Sequence, residues 1–235
     1  DIAYLWEWQL GRLLKAQGNI KAAVAAYDAS VETLQSLRTD LTAVNREVQF
    51  NFRDSVEPIY RQSVELLLQQ GQEKPDLDKV RQRIEALQLA ELDNYFREAC
   101  LNNQFVVLDK VVDQDNPDTA IFYPIILDNR LEVILKLPNQ ELIHKTSLVN
   151  SQEVEQIITQ MRENIVEPDR IRKFEVASQQ LYQWLIQPVS TELENSQVKT
   201  LVFIPDGSLR NIPMSALYDG KDYLVQKYAI AVSPG

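Results

Sequence analysis

The sequence has very few of the residues from which most catalytic and metal sites are built. It contains one cysteine, Cys100, and one histidine, His144, among 235 residues. One cysteine cannot form an intramolecular disulfide, which is typical of proteins from a reducing compartment and indicates the cytoplasm. One histidine and one cysteine far apart in sequence offer no cluster of metal ligands. We therefore predict neither a disulfide framework nor a metal site.

Glycine and long apolar runs are also scarce. With 6 glycines, the chain has no Walker phosphate loop and no glycine-rich dinucleotide fingerprint, so no cofactor is expected. No window approaches the roughly 18 apolar residues that a membrane span needs, and the longest runs, Ala120 to Leu127 and Leu201 to Ile204, have strand length. No signal peptide pattern is visible. Both ends fall within structured segments, so we expect a trimmed fragment of a longer protein.

Positive charge is in the minority. The chain has 24 Lys and Arg against 34 Asp and Glu, for a net charge of −10. Proteins bind nucleic acid largely through cations that displace counterions from the phosphates, so nucleic acid is not expected as a partner. The acidity is better explained as a contribution to solubility.

Residues 1–38 have the pattern of a helical hairpin. The apolar stripe of the first helix is assigned to Leu5, Leu10, Leu13 and Leu14. Gly18 interrupts the pattern, as a tight turn between helices requires. Small residues then lead to Tyr27, and they allow two helices to approach closely.

This hairpin resembles a tetratricopeptide repeat, a helical motif of about 34 residues. The signature positions are occupied by Leu10, Gly11, Gly18, Ala23, Tyr27 and Ser30. The sequence departs from the motif at Glu7, Leu14 and Gln35, where a tryptophan, an aromatic residue and a proline are usual. One such repeat cannot bury its own apolar face, so the resemblance implies further repeats and a protein or peptide partner for the repeat helices.

Residues 39–105 are predicted to be a helical linker region. A helical pattern runs from Asp40 to Gln70, in which Pro58 either kinks one helix or lies in the first turn of a second. The segment 71–76 is a linker signal, and a further helix is predicted from Leu77 to Leu101.

Residues 106–235 switch to strand patterns. Ala120 to Leu127 and Leu131 to Leu137 predict a β-hairpin, and Glu141 to Val149 predicts a third strand. Asn150 is the predicted N-cap of a helix that runs to Val166, and a second helix is predicted from Asp169 to Ile186. A strand buried on both faces is predicted from Thr200 to Ile204, with a neighbouring strand from Tyr228 to Val232.

Four polar or reactive residues are candidates for chemistry. His144 is interpreted as a surface or edge-strand histidine, and Cys100 as a small packing residue, because it lies near a helix C-terminus where the dipole raises the pKa of a thiol. Asp206 and Arg210 follow a buried strand, where α/β sheets tend to place ligands. The Pro205-Asp206-Gly207 sequence favours a turn instead. No catalytic, cofactor-binding or metal-binding residue is therefore assigned.

The segment Val198 to Gly235 resembles the opening of a CHAT domain, a caspase-like module often found after tetratricopeptide repeats. The residues that carry the resemblance are Pro205-Asp206-Gly207, Leu209, Pro213, Ala216-Leu217, Tyr223-Leu224, Tyr228 and Ser233-Pro234, with Met214 where the family often has phenylalanine. The implied fold class is mixed α+β and α/β: tetratricopeptide-like hairpins followed by the first, incomplete half of a caspase-like α/β domain with a β-hairpin. Active members of this family use a His–Cys dyad, and the resemblance places that dyad after Gly235. His144 and Cys100 match neither position.

The expected function is that of an interaction or scaffold fragment without a catalytic dyad of its own. The alternative is the regulatory part of a caspase-like cysteine peptidase whose His and Cys lie downstream. A sheet with an unpaired edge strand would also favour self-association. Alternatively, the hairpin from Ala120 to Leu137 completes the sheet.

Overall fold

The computed structural model describes residues 2–44, 52–69, 75–96, 112–113 and 116–233. Contacts within the chain define two compact units, Asp1–Gln104 and Phe105–Gly235. The first is helical and the second contains the sheet, so the chain has mixed α+β content. No helix in the described ranges is long and apolar enough to cross a membrane.

The first unit contains four α-helices in its described part. They are α1 (Ala3–Ala16), α2 (Ile20–Val44), α3 (Glu57–Leu67) and α4 (Leu77–Phe96). A π-helical turn, Phe52–Val56, precedes α3. Pro58 lies in the first turn of α3, where a missing N–H costs nothing, so it begins a helix rather than kinking one. Helix α2 continues past residue 38 to Val44.

Helices α1 and α2 form the expected hairpin around one close contact. Gly18 has a φ of 77°, the left-handed conformation that ends a helix most cheaply on glycine. Gly11 lies against the ring of Tyr27, so close that a Cβ atom there would fall 2.9 Å from two ring carbons. Ser30 Oγ donates to the Tyr4 carbonyl over 2.8 Å. The two helices therefore approach closely where small residues and one ring interlock.

The core of this unit joins all four helices. Its buried members include Tyr27, Ile59, Tyr60 and Leu87, each at most 1% exposed. The Gln62 side-chain oxygen on α3 accepts hydrogen bonds from Trp8 Nε1 on α1 and from the Tyr27 hydroxyl on α2, both over 2.8 Å. One amide thus fixes three helices to each other.

The second unit is built on a five-stranded mixed sheet. Its strands are β1 (Thr119–Leu127), β2 (Arg130–Lys136), β3 (Ile143–Ser147), β4 (Thr200–Phe203) and β5 (Ala229–Val232), in the order β3-β2-β1-β4-β5. β1, β2 and β3 pair antiparallel, and β4 pairs parallel with both β1 and β5. The predicted hairpin is confirmed, with a turn at Asp128 and Asn129.

Helices cover the face of the sheet that carries Phe122, Leu135 and Phe203. These are α5 (Ser151–Ile165), α6 (Ile171–Leu185) and the short α7 (Ser190–Glu194). The predicted cap of α5 is confirmed, because the Asn150 side-chain oxygen accepts from the Glu153 N–H over 2.8 Å. The phenyl rings of Phe122 and Phe203 stack 4.9 Å apart and join β1 to β4.

Some sequence expectations need correction. β4 is fully buried on one face, through Leu201 and Phe203. On the other face Thr200 and Val202 are half-buried, and Ile204, directly after the strand, is 0% exposed. The strand lies second from a sheet edge, so its second face receives less cover than a central strand would. The hairpin of β1 and β2 lies beside β4 in the same sheet, which leaves β5 as the edge on that side of the described sheet. Residues 97–101 of the helix predicted to end at Leu101 lie outside the described residues.

Candidate functional site

His144 is on the edge strand β3, as its sequence position indicated. It lies opposite Ile134 of β2. Its Nε2 atom is 2.9 Å from Glu132 Oε2. The cysteine that a His–Cys couple would need, Cys100, lies outside the described residues. The imidazole is instead committed to a carboxylate.

Glu132 is the centre of a buried hydrogen-bonded cluster. It is 0% exposed, and its Oε1 accepts from Arg130 Nε over 2.5 Å while Oε2 accepts from the Thr146 hydroxyl over 2.5 Å. Burial alone would raise the pKa of Glu132, but hydrogen bonds from His144, Thr146 and Arg130 outweigh it and hold that pKa below the ordinary value. The cluster has the contacts of a buried charge that has been compensated.

Asp206 and Arg210 form the turn that follows β4. Asp206 is 0% exposed, and its Oδ2 accepts from the Ile126 N–H over 3.1 Å. Arg210 Nε donates to the Pro205 carbonyl over 3.0 Å. Gly207, with a φ of 51°, begins a 3-10 turn between them. These bonds close the turn onto β1, which agrees with the turn interpretation.

Within the described part of the chain, no group of three or more His, Cys, Asp or Glu side chains is arranged to hold a metal ion. The carboxylate of Asp113, ahead of β1 in the sequence, is used within the fold: it accepts from the Asn139 N–H over 2.7 Å and from Lys136 Nζ over 3.0 Å. The backbone bond is the main reason that its pKa lies below the ordinary value.

The outer face of α1, together with the preceding residue Ile2, is apolar and exposed. Four large apolar side chains are exposed there: Ile2 by 60%, Trp6 by 70%, Leu10 by 50% and Leu13 by 55%. Their spacing of four, four and three residues places them on one side of a helix. We call these four residues the α1 stripe.

The opposite side of α1 faces α2. Tyr4 and Gly11 are buried there, and Trp8 and Leu14 pack against the same core. The sequence assignment of one stripe to Leu5, Leu10, Leu13 and Leu14 was therefore wrong. Leu5 and Leu14 contact the core, whereas Leu10 and Leu13 belong to the exposed side.

A signal for the α1 stripe was present in the sequence. The first helix is apolar on nearly every side, from Tyr4 through Trp6 and Trp8 to Leu13 and Leu14. A helix that is apolar all round is expected to be covered on both sides. Of the polar residues beside the stripe, Gln9 and Gln17 are uncharged, and Gln9 accepts a hydrogen bond from the exposed Arg12 over 3.1 Å. An uncharged apolar ridge is suited to contact with another apolar surface rather than with an ionic ligand.

Comparison with known proteins gave one family match. A model of the CHAT domain matches residues 175–235, about a quarter of the chain, from within α6 to the end of the sequence. The match includes β4, the turn at Asp206 and β5. It confirms the family resemblance that was based on the segment from Val198 to Gly235. The comparison with curated proteins gave no match.

Proposed function

We propose that this chain is the protein-interaction part of a CHAT-domain protein, and that it binds its partner through the α1 stripe. The observation that carries the proposal is the exposure of Trp6, Leu10 and Leu13 on one side of a helix. Exposed apolar patches of this kind mark interaction sites more often than chance would allow. Tryptophan is also enriched among the residues that dominate binding energy.

The proposed unit for this contact is a tetratricopeptide-like hairpin formed by residues 1–38. Its support comes from the interior of the hairpin. Gly11 contacts the Tyr27 ring, Ala23 is 0% exposed, and Ser30 bonds back to α1.

The partner surface is expected to be an amphipathic helix with an apolar ridge. The α1 stripe is straight and presents a side chain about every turn, which matches the spacing of apolar residues on a second helix. The stripe itself is uncharged, and the exposed Arg12 beside it donates to the Gln9 side-chain oxygen over 3.1 Å, so an acidic residue beside the partner's apolar ridge would be accommodated.

Site-specific photo-crosslinking tests this proposal. A benzophenone amino acid is placed at Leu10, in the α1 stripe, and separately at Lys21, an exposed position on α2. The full-length protein in its native cells should give a discrete adduct from position 10 and none from position 21. Leu10→Asp combined with Leu13→Asp should abolish association with the captured partner while leaving the circular dichroism spectrum unchanged, because both side chains are exposed.

Equal adducts from both positions would contradict the proposal, as would a partner that still binds the double aspartate variant. A matched Leu10→Ala, Leu13→Ala variant adds no charge and keeps a high helix propensity. It should weaken binding less than the aspartates do, because it removes apolar area without placing charge in the contact.

A second candidate function is favoured by the CHAT match at residues 175–235. The chain would then be the regulatory part of a caspase-like cysteine peptidase whose catalytic His and Cys lie downstream, and partner binding at the α1 stripe would control that peptidase. Peptidase activity of the full-length protein, lost on replacing a downstream cysteine but retained in Cys100→Ser, would support this candidate. Loss of activity in Cys100→Ser, with the fold intact, would count against it.

We also propose that the chain self-associates through the edge of the sheet at β5. Ala229, Ala231 and Val232 are exposed on this strand. An edge strand with apolar side chains and outward-facing backbone groups is a template for pairing with another chain.

A further inference from the structure

A shallow groove lies on the surface of the second unit where α5 and α6 meet, away from the α1 stripe in sequence. Its volume is about 500 Å³, and its lining comprises Gln160, Glu163, Asn164, Arg170, Arg172, Lys173 and Val176. A second hollow of about 280 Å³ continues it across α5, sharing Glu163 and adding Arg162. We call these two hollows together the α5–α6 groove.

The lining of the groove carries more cations than acids: Arg162, Arg170, Arg172 and Lys173 against Glu163. Arg170, Arg172 and Lys173 are all exposed, and none forms an ion pair within 4.0 Å in the described part of the chain. By contrast, Lys145 on the edge strand β3 of this unit pairs with Glu192 over 2.7 Å. In a chain of net charge −10, three such cations in one groove are a local reversal of the overall sign.

The position of these cations is unfavourable for the isolated helix. Arg172 and Lys173 are in the first turn of α6, and that turn contains no acidic residue. The helix dipole already makes that end positive, so cations there destabilise it. Their mutual repulsion adds to the cost at short range. An anionic group in the groove would relieve both effects.

Exposed apolar side chains accompany the cations. Val176 lines the groove and is 68% exposed, and Ile171 is 51% exposed. At the adjoining end of α5, Ile165 is 47% and Val166 is 74% exposed. A ligand that is complementary to the whole surface therefore needs both negative charge and an apolar side chain.

We propose that the α5–α6 groove binds an acidic peptide segment of a partner protein, with carboxylates on Arg170, Arg172 and Lys173 and an apolar side chain against Val176. Arginine can bind a carboxylate through two parallel hydrogen bonds. Electrostatic complementarity of this kind selects partners and speeds their association.

Two features favour a peptide over a nucleic acid in this groove. Glu163 is part of the lining, and Glu167 and Asp169 are exposed in the loop beside it, so a continuous phosphate backbone would meet repulsion. The exposed Val176 and Ile171 would also be left without a partner by a phosphate chain. A peptide with separated carboxylates can avoid the acids and still cover the apolar side chains.

Selection from a random peptide library displayed on phage tests the inference on the full chain. Selected sequences should be enriched in Asp and Glu and carry an aliphatic or aromatic residue between them. A synthetic peptide of the most frequent sequence, fluorescein-labelled, is then titrated against the protein by fluorescence anisotropy. Arg172→Glu with Lys173→Glu should weaken its binding at least tenfold, and Val176→Ser should weaken it about threefold to tenfold.

The matched control is Lys21→Glu with Lys221→Glu, which makes the same change in net charge at two exposed positions outside the groove. It should bind the peptide nearly as well as the wild type. The inference is overturned if selection gives no acidic enrichment, if the two double variants lose affinity equally, or if single-stranded DNA competes for the groove more strongly than the acidic peptide. Because all substituted side chains are exposed, circular dichroism should show that every variant folds.

Discussion

At the scale of single residues, the buried carboxylate of Glu132 is stabilised by hydrogen bonds to three side chains, Arg130, His144 and Thr146. Glu132→Gln keeps the shape of the side chain but removes the charge that compensates Arg130, whose side chain is only 9% exposed. It also replaces one acceptor oxygen by a donor that faces the donors of His144 and Thr146. We expect the free energy of unfolding to fall by about 2–4 kcal/mol, measured by urea denaturation at pH 7.

The same interaction has a defined pH dependence. The pKa of Glu132 in the folded protein is below its ordinary value of 4.5. A lowered pKa means that the unfolded chain takes up the proton first, so the stabilisation is complete above about pH 4.5 and is lost as the pH falls through the folded pKa. The difference in stability between wild type and Glu132→Gln should therefore shrink on acidification below pH 4.5.

Glu167→Gln provides the control for both measurements, since Glu167 is exposed and exposed charges contribute little. It should change stability by no more than about 0.5 kcal/mol at any of these pH values. A stability loss for Glu132→Gln that stays constant from pH 7 to pH 3 would show that the carboxylate charge is not what stabilises the cluster.

At the scale of secondary-structure elements, the packing of α1 on α2 depends on Gly11. Gly11→Ala would place a Cβ atom 2.9 Å from Tyr27 Cδ2 and Cε2. The ring cannot move away easily, because it is 1% exposed and its hydroxyl donates to Gln62. We expect the free energy of unfolding of the first unit to fall by about 1–3 kcal/mol. The measurement is the fluorescence of Trp8 in a background in which Trp6 and Trp184 are replaced by phenylalanine.

A double-mutant cycle separates this clash from a general effect on the helix. Tyr27→Leu removes the ring, so Gly11→Ala should cost much less in that background than in the wild type. Gly18→Ala is the comparison: nothing lies within 4 Å of its Cβ position, but its φ of 77° strains any side chain. Gly18→Ala should lower the free energy of unfolding by the same amount whether tyrosine or leucine occupies position 27. If the effects of Gly11→Ala and Tyr27→Leu on that free energy were also simply additive, the proposed contact would be refuted.

Local signals in the sequence were enough to predict most elements but not which side of α1 is buried. Asn150 capped a helix as expected, because a cap depends on residues within one turn. Pro58 was left open between two positions, since its role depends on where the preceding helix ends. Leu10 was placed on the wrong side of α1 because leucines occur on both sides of that helix, and the position of α2 decides which side is inside.

At the scale of the whole molecule, the sheet order depends on contacts between distant segments. Short sequence patterns predict the strands β4 and β5 and the β1–β2 hairpin individually. Parallel pairing of β1 with β4, which places Phe122 opposite Phe203, had no local signal. The cluster at Glu132 exists because the register of β2 and β3 places Thr146 opposite Glu132. A one-residue shift would separate them, so sequence position alone could not have identified the cluster.

The proposed self-association would use the outer edge of β5. The N–H groups of Ala229 and Ser233 donate toward β4, to the Lys199 and Phe203 carbonyls over 2.8 Å each. Alternation along the strand turns the N–H of Val232 outward. Val232→Pro should therefore remove an outward donor while leaving the pairing with β4 in place.

We expect the wild type to show concentration-dependent association by sedimentation velocity and Val232→Pro to remain monomeric over the same range. Val232→Thr is the matched control. It lowers the apolar character of the same side chain but keeps the N–H, so it should still associate if backbone pairing drives the contact. Loss of association in Val232→Thr but not in Val232→Pro would assign the contact to apolar side chains. A wild type that stays monomeric at every concentration would mean that the edge of β5 does not pair with a second copy.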